Sequence, residues 1–284
     1  MKLILKMIFF TRAILLFFIL LLHSSNANPL KLEHTTATLM SDVNQIQPGK
    51  PFWVALKLTF KPDWHTYWVN PGESGFATTI DWALPPGFTA SSIHWAAPQW
   101  FQDKKQVSFG YRNESFYLAE IIPSQEINTG LQKLTAQARW LVCGEACVPE
   151  STEISLALPV KSEAEYPDYS ADQALIHQLR EALPASLEAP GEFKIEQETI
   201  TFTINLADKN LHQIDSALLF PLKNGLINYD SPQKFTFENG LLTITAMKGK
   251  NTKFNKYEAL LQVTNKAANK THNYQLTFAL NDTV

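Results

Sequence analysis

The 284-residue sequence has little cysteine, little net charge and few long helical periodicities. Because it contains only two cysteines, at most one intramolecular disulfide can form. Its formal net charge of −3 gives no electrostatic reason to expect nucleic-acid binding. It also lacks a glycine-rich phosphate loop, and no apolar run beyond the N-terminal one approaches membrane-spanning length. We therefore expect neither a nucleic-acid partner nor a cofactor.

The N-terminus resembles an export signal. Basic residues precede the apolar run at residues 13–22, and small residues occupy positions 25 and 27. This pattern predicts a signal peptide over residues 1–27 that is cleaved before Asn28. A retained membrane anchor is the alternative, but the uncharged run is short for a transmembrane helix. We therefore expect a periplasmic protein, in a compartment where disulfides form and persist.

Composition and strand patterns predict a mainly β protein with two domains. A chain with 45% hydrophobic residues is long enough for two cores. About seven short alternating runs separated by proline and glycine turns predict an immunoglobulin-like β-sandwich over residues 28–161. Residues 162–190 are predicted to be a linker with a helix. Residues 191–284 are predicted to form a second, smaller β-sandwich.

Local patterns make the prediction more specific at several points. Ser170 and Gln173 are spaced as a helix capping box, and Pro184 ends the predicted helix. Asn239-Gly240 separates two alternating runs and favours a tight hairpin turn. Residues 64–75 are dense in aromatic and turn residues. Residues 93–110 are aromatic as well, and we interpret this second stretch as irregular.

Both cysteines lie in a short loop between two predicted strands. Cys143 and Cys147 are close enough for a disulfide, and Gly144 offers the backbone freedom that a tight turn needs. A bridge that closes so short a loop stabilises the fold by on the order of 2 kcal/mol in the chain-entropy model. A structural disulfide and a redox-active pair therefore both remain open.

Charges near the cysteines in the sequence disfavour a thiolate. Glu145 lies between the two cysteines and Glu150 follows them, whereas the loop contains no lysine, arginine or histidine. A metal site with His65 or His94 is a further alternative, but the spacing places neither histidine near the loop. We therefore expect no metal, and a dithiol pair that stays inert until a partner docks.

Four segments together resemble a known family. They cover residues 64–75, 78–82, 140–150 and 220–229, and they are similar to the periplasmic N-terminal region of DsbD-type thiol:disulfide interchange proteins. The resemblance is strongest to the branch that contains the suppressor of copper sensitivity protein B. It implies an immunoglobulin-like redox domain in which Cys143 and Cys147 exchange a dithiol for a disulfide. It also implies that electrons pass from a donor to oxidised periplasmic proteins.

Two departures from the family pattern affect this interpretation. DsbD-type proteins continue into a membrane domain and a thioredoxin-like domain, whereas this sequence stops at Val284. We therefore expect a separate membrane electron transporter or thioredoxin-like donor. The family also has a wider cysteine spacing and an aromatic cap over its disulfide. The candidates for a cap or shield here are Phe109, Phe101 and Tyr67.

A hypothesis of a different class competes with a thiol:disulfide oxidoreductase. The chain would then be a non-catalytic periplasmic binding or assembly module whose disulfide is structural. The reduction potential of the bridge distinguishes the two hypotheses, because structural disulfides usually lie below about −300 mV.

Overall fold

The computed structural model describes residues 29–103, 106–161, 168–188, 191–209, 211 and 213–281. The predicted signal peptide, residues 1–27, lies outside these ranges. Within them, no helix has the length and apolar character needed to cross a membrane.

The first part of the chain consists of β-strands in two sheets. The strands are β1 (Leu30–Lys31), β2 (Thr35–Ser41), β3 (Phe52–Phe60), β4 (His65–Gly72), β5 (Thr79–Ala83), β6 (Phe88–Ala90), β7 (His94–Trp95), β8 (Gln99–Asp103), β9 (Gln106–Arg112), β10 (Glu114–Pro123), β11 (Gly130–Cys143) and β12 (Cys147–Val160). One sheet has the order β1-β2-β3-β10-β6, with β7 beside β10. The other has the order β12-β11-β4-β9-β8, with β5 beside β11. The predicted sandwich architecture is confirmed for this part.

Alternation along the strands decides which side chains form the core between the two sheets. Along β11, Leu134, Trp140 and Val142 are buried in this core, because every second side chain points to the same face. The indole Nε1 of Trp140 donates a hydrogen bond of 3.2 Å to Thr35 Oγ1 on the opposite sheet. Burying side chains of this size stabilises the fold by about 1.5–3 kcal/mol each. The same alternation directs Cys143 to the outer face of its sheet.

The predicted helix is present as α1, Gln173–Glu181, and it packs on the outer face of the sheet that contains β2, β3 and β10. Its fully buried residue is Ile176, which contacts Met40, Ala55 and Leu118. The helix therefore covers the sheet that does not carry the cysteines.

The predicted capping box does not form at the start of α1. Asp172 occupies the N-cap position, and its side chain makes no capping hydrogen bond. Ser170 Oγ accepts a hydrogen bond of 3.1 Å from the backbone N–H of Asp172. The hydroxyl of Ser170 also donates to the backbone carbonyl of Ser41, so this residue connects the start of the helix to β2.

The second part of the chain is one continuous sheet among the described residues, and we call it the second sheet. Its strands are β13 (Ala185–Ser186), β14 (Gly191–Ile195), β15 (Thr199–Asn205), β16 (Ser216–Pro221), β17 (Lys234–Glu238), β18 (Leu241–Met247), β19 (Lys256–Asn265) and β20 (Lys270–Leu280). They have the order β16-β19-β20-β14-β15-β18-β17, with β13 beside β20. The predicted second β-sandwich is not confirmed. β14 pairs in parallel with β20, and this pairing joins the strands into a single sheet.

The hairpin between β17 and β18 matches its prediction. Asn239 and Gly240 form the turn with φ values of 51° and 79°. Positive φ at both central residues is the requirement of a type I′ turn, which matches the twist of the flanking strands. The prediction of a tight primed turn at Asn239-Gly240 is confirmed.

The stretch at residues 93–110 was expected to be irregular, but it contains the hairpin of β8 and β9. The aromatic stretch at residues 64–75, for which no strand was predicted, includes β4, an interior strand between β11 and β9. The register between β4 and β9 shifts between Tyr67 and Gly72, a segment that contains Pro71. Because proline and the shift interrupt the period of two, the sequence pattern obscured a central strand.

Candidate functional site

The two cysteines close the hairpin of β11 and β12. Cys143 ends β11, Cys147 begins β12, and the two residues lie directly opposite each other in the ladder. They form a disulfide with Cα atoms 4.1 Å apart. The loop at residues 144–146 is closed by a hydrogen bond of 3.1 Å from Gly144 N–H to the carbonyl of Ala146. The bridge expected from spacing is therefore present at a hairpin end.

The two sulfur-bearing residues differ in their exposure. Cys143 is only 1% exposed, whereas Cys147 is exposed to solvent. A thiolate must approach the sulfur that it attacks along the line of the disulfide bond, so access decides which sulfur reacts. The geometry makes Cys147 the accessible sulfur and Cys143 the protected one.

Tyr67 supplies a polar contact to the protected sulfur. Its hydroxyl donates a hydrogen bond to Cys143 Sγ at 3.0 Å and lies 3.9 Å from Cys147 Sγ. The Tyr67 ring is buried, and Gly75 lies against it with a φ of 102°. A Cβ at Gly75 would lie 2.6 Å from the Tyr67 ring, so a larger residue would displace the tyrosine. The hydroxyl is thus held where it can stabilise a thiolate at Cys143.

His65 lies opposite the protected cysteine, a position that its spacing in the sequence did not indicate. It is the residue of β4 opposite Cys143, and its side chain is buried. Its ring packs edge-on against Tyr67, with centroids 5.3 Å apart, and against Phe101 at 4.8 Å. Phe101, His65 and Tyr67 form a continuous set of contacts that we call the aromatic row. The row leads along the outer face of the sheet to Cys143.

A positive charge lies at the end of the aromatic row that is farther from the sulfurs. The guanidinium of Arg112, opposite His65 in the ladder, lies 4.5 Å from the centroid of the Phe101 ring. This distance is within the range of a cation–π interaction. The cysteine loop has no basic residue of its own, and Arg112 is a basic residue on β9, the strand beside β4.

Glu150 does not face the sulfurs, contrary to the expectation from its place in the sequence. It lies an odd number of residues from Cys147 on β12, so its side chain points to the other face of the sheet. Its buried carboxylate accepts a hydrogen bond of 2.8 Å from the backbone N–H of His34. The His34 ring nitrogen Nδ1 also lies 3.2 Å from the same oxygen. Glu145, in the loop, is the acidic residue that remains exposed near Cys147.

Trp64 packs against the cysteine loop and explains its glycine. A Cβ at Gly144 would lie 2.7 Å from the Trp64 indole, and the indole stacks on the His34 ring at 4.0 Å. The backbone of Gly144 does not have a positive φ. The expectation that Gly144 supplies turn freedom is therefore replaced by a different reason, since this glycine allows close approach of the indole.

The three cap candidates occupy different places. Tyr67 contacts the sulfur directly, and Phe101 covers His65 at the far end of the aromatic row. Phe109 instead is fully buried, with its ring 4.9 Å from Tyr229 and 5.4 Å from Phe220. Phe109 therefore lies at the junction with the second sheet and not over the disulfide.

Neither His65 nor His94 forms a metal centre with the cysteines in the part of the chain that the structure describes. Across the residues that the structure describes, no three His, Cys, Asp or Glu side chains are grouped so that they could hold a metal ion. His94 lies in the other sheet, where its ring packs 4.9 Å from Trp53. The chemistry that the site offers is therefore that of sulfur, a phenol and nearby aromatic rings.

Comparisons with known proteins agree with this arrangement. Residues 36–159 match the family model described as "Thiol:disulfide interchange protein DsbD, N-terminal". The solved N-terminal periplasmic domain of ScsB from Proteus mirabilis is similar in fold, with a TM-score of 0.62 and 15% identity, over 90% of this chain and 99% of that one. Spo0M, a sporulation control protein from Bacillus subtilis, aligns over 87% of this chain and 91% of its own with 6% identity. Its TM-score of 0.24 is too low to indicate a shared fold. No curated protein sequence matches.

Proposed function

We propose that the domain at residues 36–159, which matches the DsbD N-terminal family model, relays reducing equivalents between periplasmic proteins through its Cys143–Cys147 pair. The electrons come from a dithiol donor, either a membrane transporter or a thioredoxin-like protein. They pass to oxidised periplasmic proteins. The unequal exposure of two bonded sulfurs is the observation that carries the proposal, because it gives the exchange a defined entry point.

The first step is attack by a donor thiolate on the exposed Cys147 sulfur. A new disulfide forms between the donor and Cys147, the Cys143–Cys147 bond breaks, and its electron pair leaves on Cys143. The second thiolate of the donor then attacks the donor's own sulfur in this mixed disulfide and releases Cys147. The donor is oxidised to a disulfide, and this chain gains two electrons and two protons as a dithiol.

The second half of the cycle reverses these roles towards a client. The Cys147 thiolate attacks a disulfide of the client and forms a mixed disulfide, while one client sulfur leaves with the electron pair. Cys143 then attacks Cys147, restores the internal bridge and releases the reduced client. Cys143 can do this without leaving its buried position, because it lies directly opposite Cys147 in the ladder.

Tyr67 has a role in the first half of the cycle. When the internal bridge breaks, negative charge develops on Cys143 in a buried site that water does not reach freely. The Tyr67 hydroxyl already donates to this sulfur at 3.0 Å, and a hydrogen bond to a charged acceptor is stronger than one to a neutral acceptor. The hydroxyl therefore stabilises Cys143 as a leaving group.

The reduction potential of the bridge tests the proposal. We expect equilibration with a dithiothreitol or glutathione buffer to give a potential above about −300 mV, because exchange-active disulfides are more oxidising than structural ones. Thiol alkylation followed by mass measurement would report the fraction reduced. A potential well below that value would support the alternative of a binding or assembly module with a structural disulfide.

A further inference from the structure

The second sheet contacts the first domain through two aromatic residues of the segment at residues 220–229. The Phe220 ring lies 5.4 Å from Phe109 and 6.3 Å from Trp68, and the Tyr229 ring lies 4.9 Å from Phe109. Trp100 packs against both, at 5.9 Å from Phe220 and 6.3 Å from Tyr229. Phe220 and Phe109 are almost fully buried. This junction therefore belongs to the core of the molecule.

Asn70 adds a polar connection between β4 and the second sheet. Its buried amide nitrogen donates to the carbonyl of Pro221 at 2.6 Å and to the Tyr229 hydroxyl at 3.2 Å. The Tyr229 hydroxyl in turn donates to Asn224 Oδ1 at 2.9 Å. Burial raises the pKa of Tyr229 to about 12, so its hydroxyl keeps its proton at any physiological pH. The end of β4 is thus bonded to the second sheet through neutral groups.

Neighbouring residues on β4 connect this junction to the disulfide. Trp68 points inward to Phe220, whereas Tyr67, the residue before it, points outward to Cys143. The same alternation occurs on β8, where Trp100 faces the second sheet and Phe101 faces His65. The strands that hold the aromatic row are therefore held from behind by the second sheet.

We infer that Phe220 and Tyr229 are positioning residues for the redox site, which set the Tyr67 hydroxyl on Cys143 through β4 and the β8–β9 hairpin. The inference rests on the proposed exchange at Cys147. It assigns a task to the second sheet, whose own residues contribute no group to the sulfur chemistry.

The variant Phe220→Leu tests this inference in the full-length chain. Leucine keeps an apolar side chain but loses the ring contacts to Trp68, Trp100 and Phe109. We expect dithiothreitol to reduce the disulfide about two- to fivefold more slowly, because the Tyr67 hydrogen bond would be weakened and not removed. The matched control is Phe202→Leu, since the aromatic partners of the Phe202 ring among the described residues, Phe193, Tyr257 and Phe278, all belong to the second sheet. Its reduction rate should equal that of the wild type.

A double-variant cycle separates positioning from general loosening. In the background of Tyr67→Phe the hydroxyl is absent, so adding Phe220→Leu should change the rate no further. Independent, multiplying effects of the two changes would overturn the inference, as would equal rates for Phe220→Leu and Phe202→Leu. Tyr229→Phe, which keeps the ring and removes the hydrogen bonds, gives the same test if Phe220→Leu does not fold.

Hydrogen exchange provides a readout that does not depend on redox activity. Amides of β4 and β8 should lose protection in Phe220→Leu and keep it in Phe202→Leu. Unchanged protection of these strands would count against the inference even if the rates changed. If the wild-type disulfide resists reduction, the proposed thiol–disulfide exchange is wrong. The hydrogen-exchange pattern still decides whether the second sheet holds β4 and β8 in place.

Discussion

The two hairpins β11–β12 and β17–β18 form for different reasons. The conformation of the β17–β18 turn follows from its own two residues, because Asn239 and Gly240 supply the two positive φ values. The turn of β11–β12 depends on residues far away in sequence. Trp64 packs on Gly144, and the hydroxyl of Tyr67, which precedes Cys143 by 76 residues, donates a hydrogen bond to the Cys143 sulfur. A hairpin set by local chemistry is a structural connection, whereas one set by distant contacts can carry a site whose geometry those contacts control.

The largest expected effect comes from removing the distant support of the cysteine hairpin. Trp64→Ala deletes the indole that lies on Gly144 and stacks on His34. We expect a loss of about 2–3 kcal/mol in the free energy of unfolding, somewhat less than for a fully buried tryptophan. Chemical denaturation of the oxidised protein measures it. A loss within experimental error would mean that the hairpin holds its shape without Trp64.

Adding one methyl group to each turn compares the hairpins directly. Gly144→Ala would place a Cβ against the Trp64 indole, and Gly240→Ala would place one 2.7 Å from Ala207 at a φ of 79°. Each should destabilise the protein by about 1–2 kcal/mol. Only Gly144→Ala should change the rate at which dithiothreitol reduces the disulfide. Equal effects of both variants on that rate would remove the distinction between the hairpins.

Removing the Tyr67 hydroxyl should affect the sulfur chemistry more than the fold. Tyr67→Phe keeps the ring against Gly75 and deletes the hydrogen bond to Cys143. Because a thiolate gains more from this bond than a disulfide does, we expect the loss to be about 1 kcal/mol in the reduced form, or about 20 mV towards more negative potential. Redox titration measures the shift. A potential equal to the wild type would mean that the hydroxyl does not stabilise Cys143.

The smallest expected effect is in the turn that depends on local chemistry. Asn239→Ala places a residue that tolerates positive φ poorly at a φ of 51°. The cost should be under about 1 kcal/mol in the free energy of unfolding. The reduction potential and the rate of disulfide reduction should stay unchanged. Any redox change would show that the two hairpins communicate, which their separate contacts do not provide for.

The sequence was sufficient where structure depends on neighbouring residues. Alternating runs predicted the strands of the sandwich, and the Asn239-Gly240 pair predicted its turn type. The cysteine spacing likewise indicated a bridge at a hairpin end, which the pairing of Cys143 with Cys147 matches. Each of these features arises within a few residues of the pattern that reveals it.

The rest depends on pairing between distant segments. β4 was missed because Pro71 and a register shift break its alternation, and with it the position of His65 beside Cys143 was missed. Tyr67 was expected as a cap candidate, but its hydrogen bond to Cys143 was not. The parallel pairing of β14 with β20 has no local signature either. The charge near the sulfurs was also misjudged. Glu150 is close to Cys147 in the sequence, but the alternation of side chains along β12 turns it to the other face of the sheet.

Trapping of reaction intermediates tests the central claim most directly. Cys143→Ser leaves the exposed Cys147 as the single thiol, and Cys147→Ser leaves the buried Cys143. Each variant would be incubated with a thioredoxin-like protein whose resolving cysteine is replaced by serine and whose remaining cysteine carries a thionitrobenzoate mixed disulfide. The variant's thiolate attacks that cysteine sulfur, thionitrobenzoate leaves with the electron pair, and the protein–protein mixed disulfides are counted by non-reducing electrophoresis. We predict abundant mixed disulfide with Cys143→Ser and little with Cys147→Ser. Trapping that is equal in both, or stronger through Cys143, would contradict an exchange that begins at Cys147.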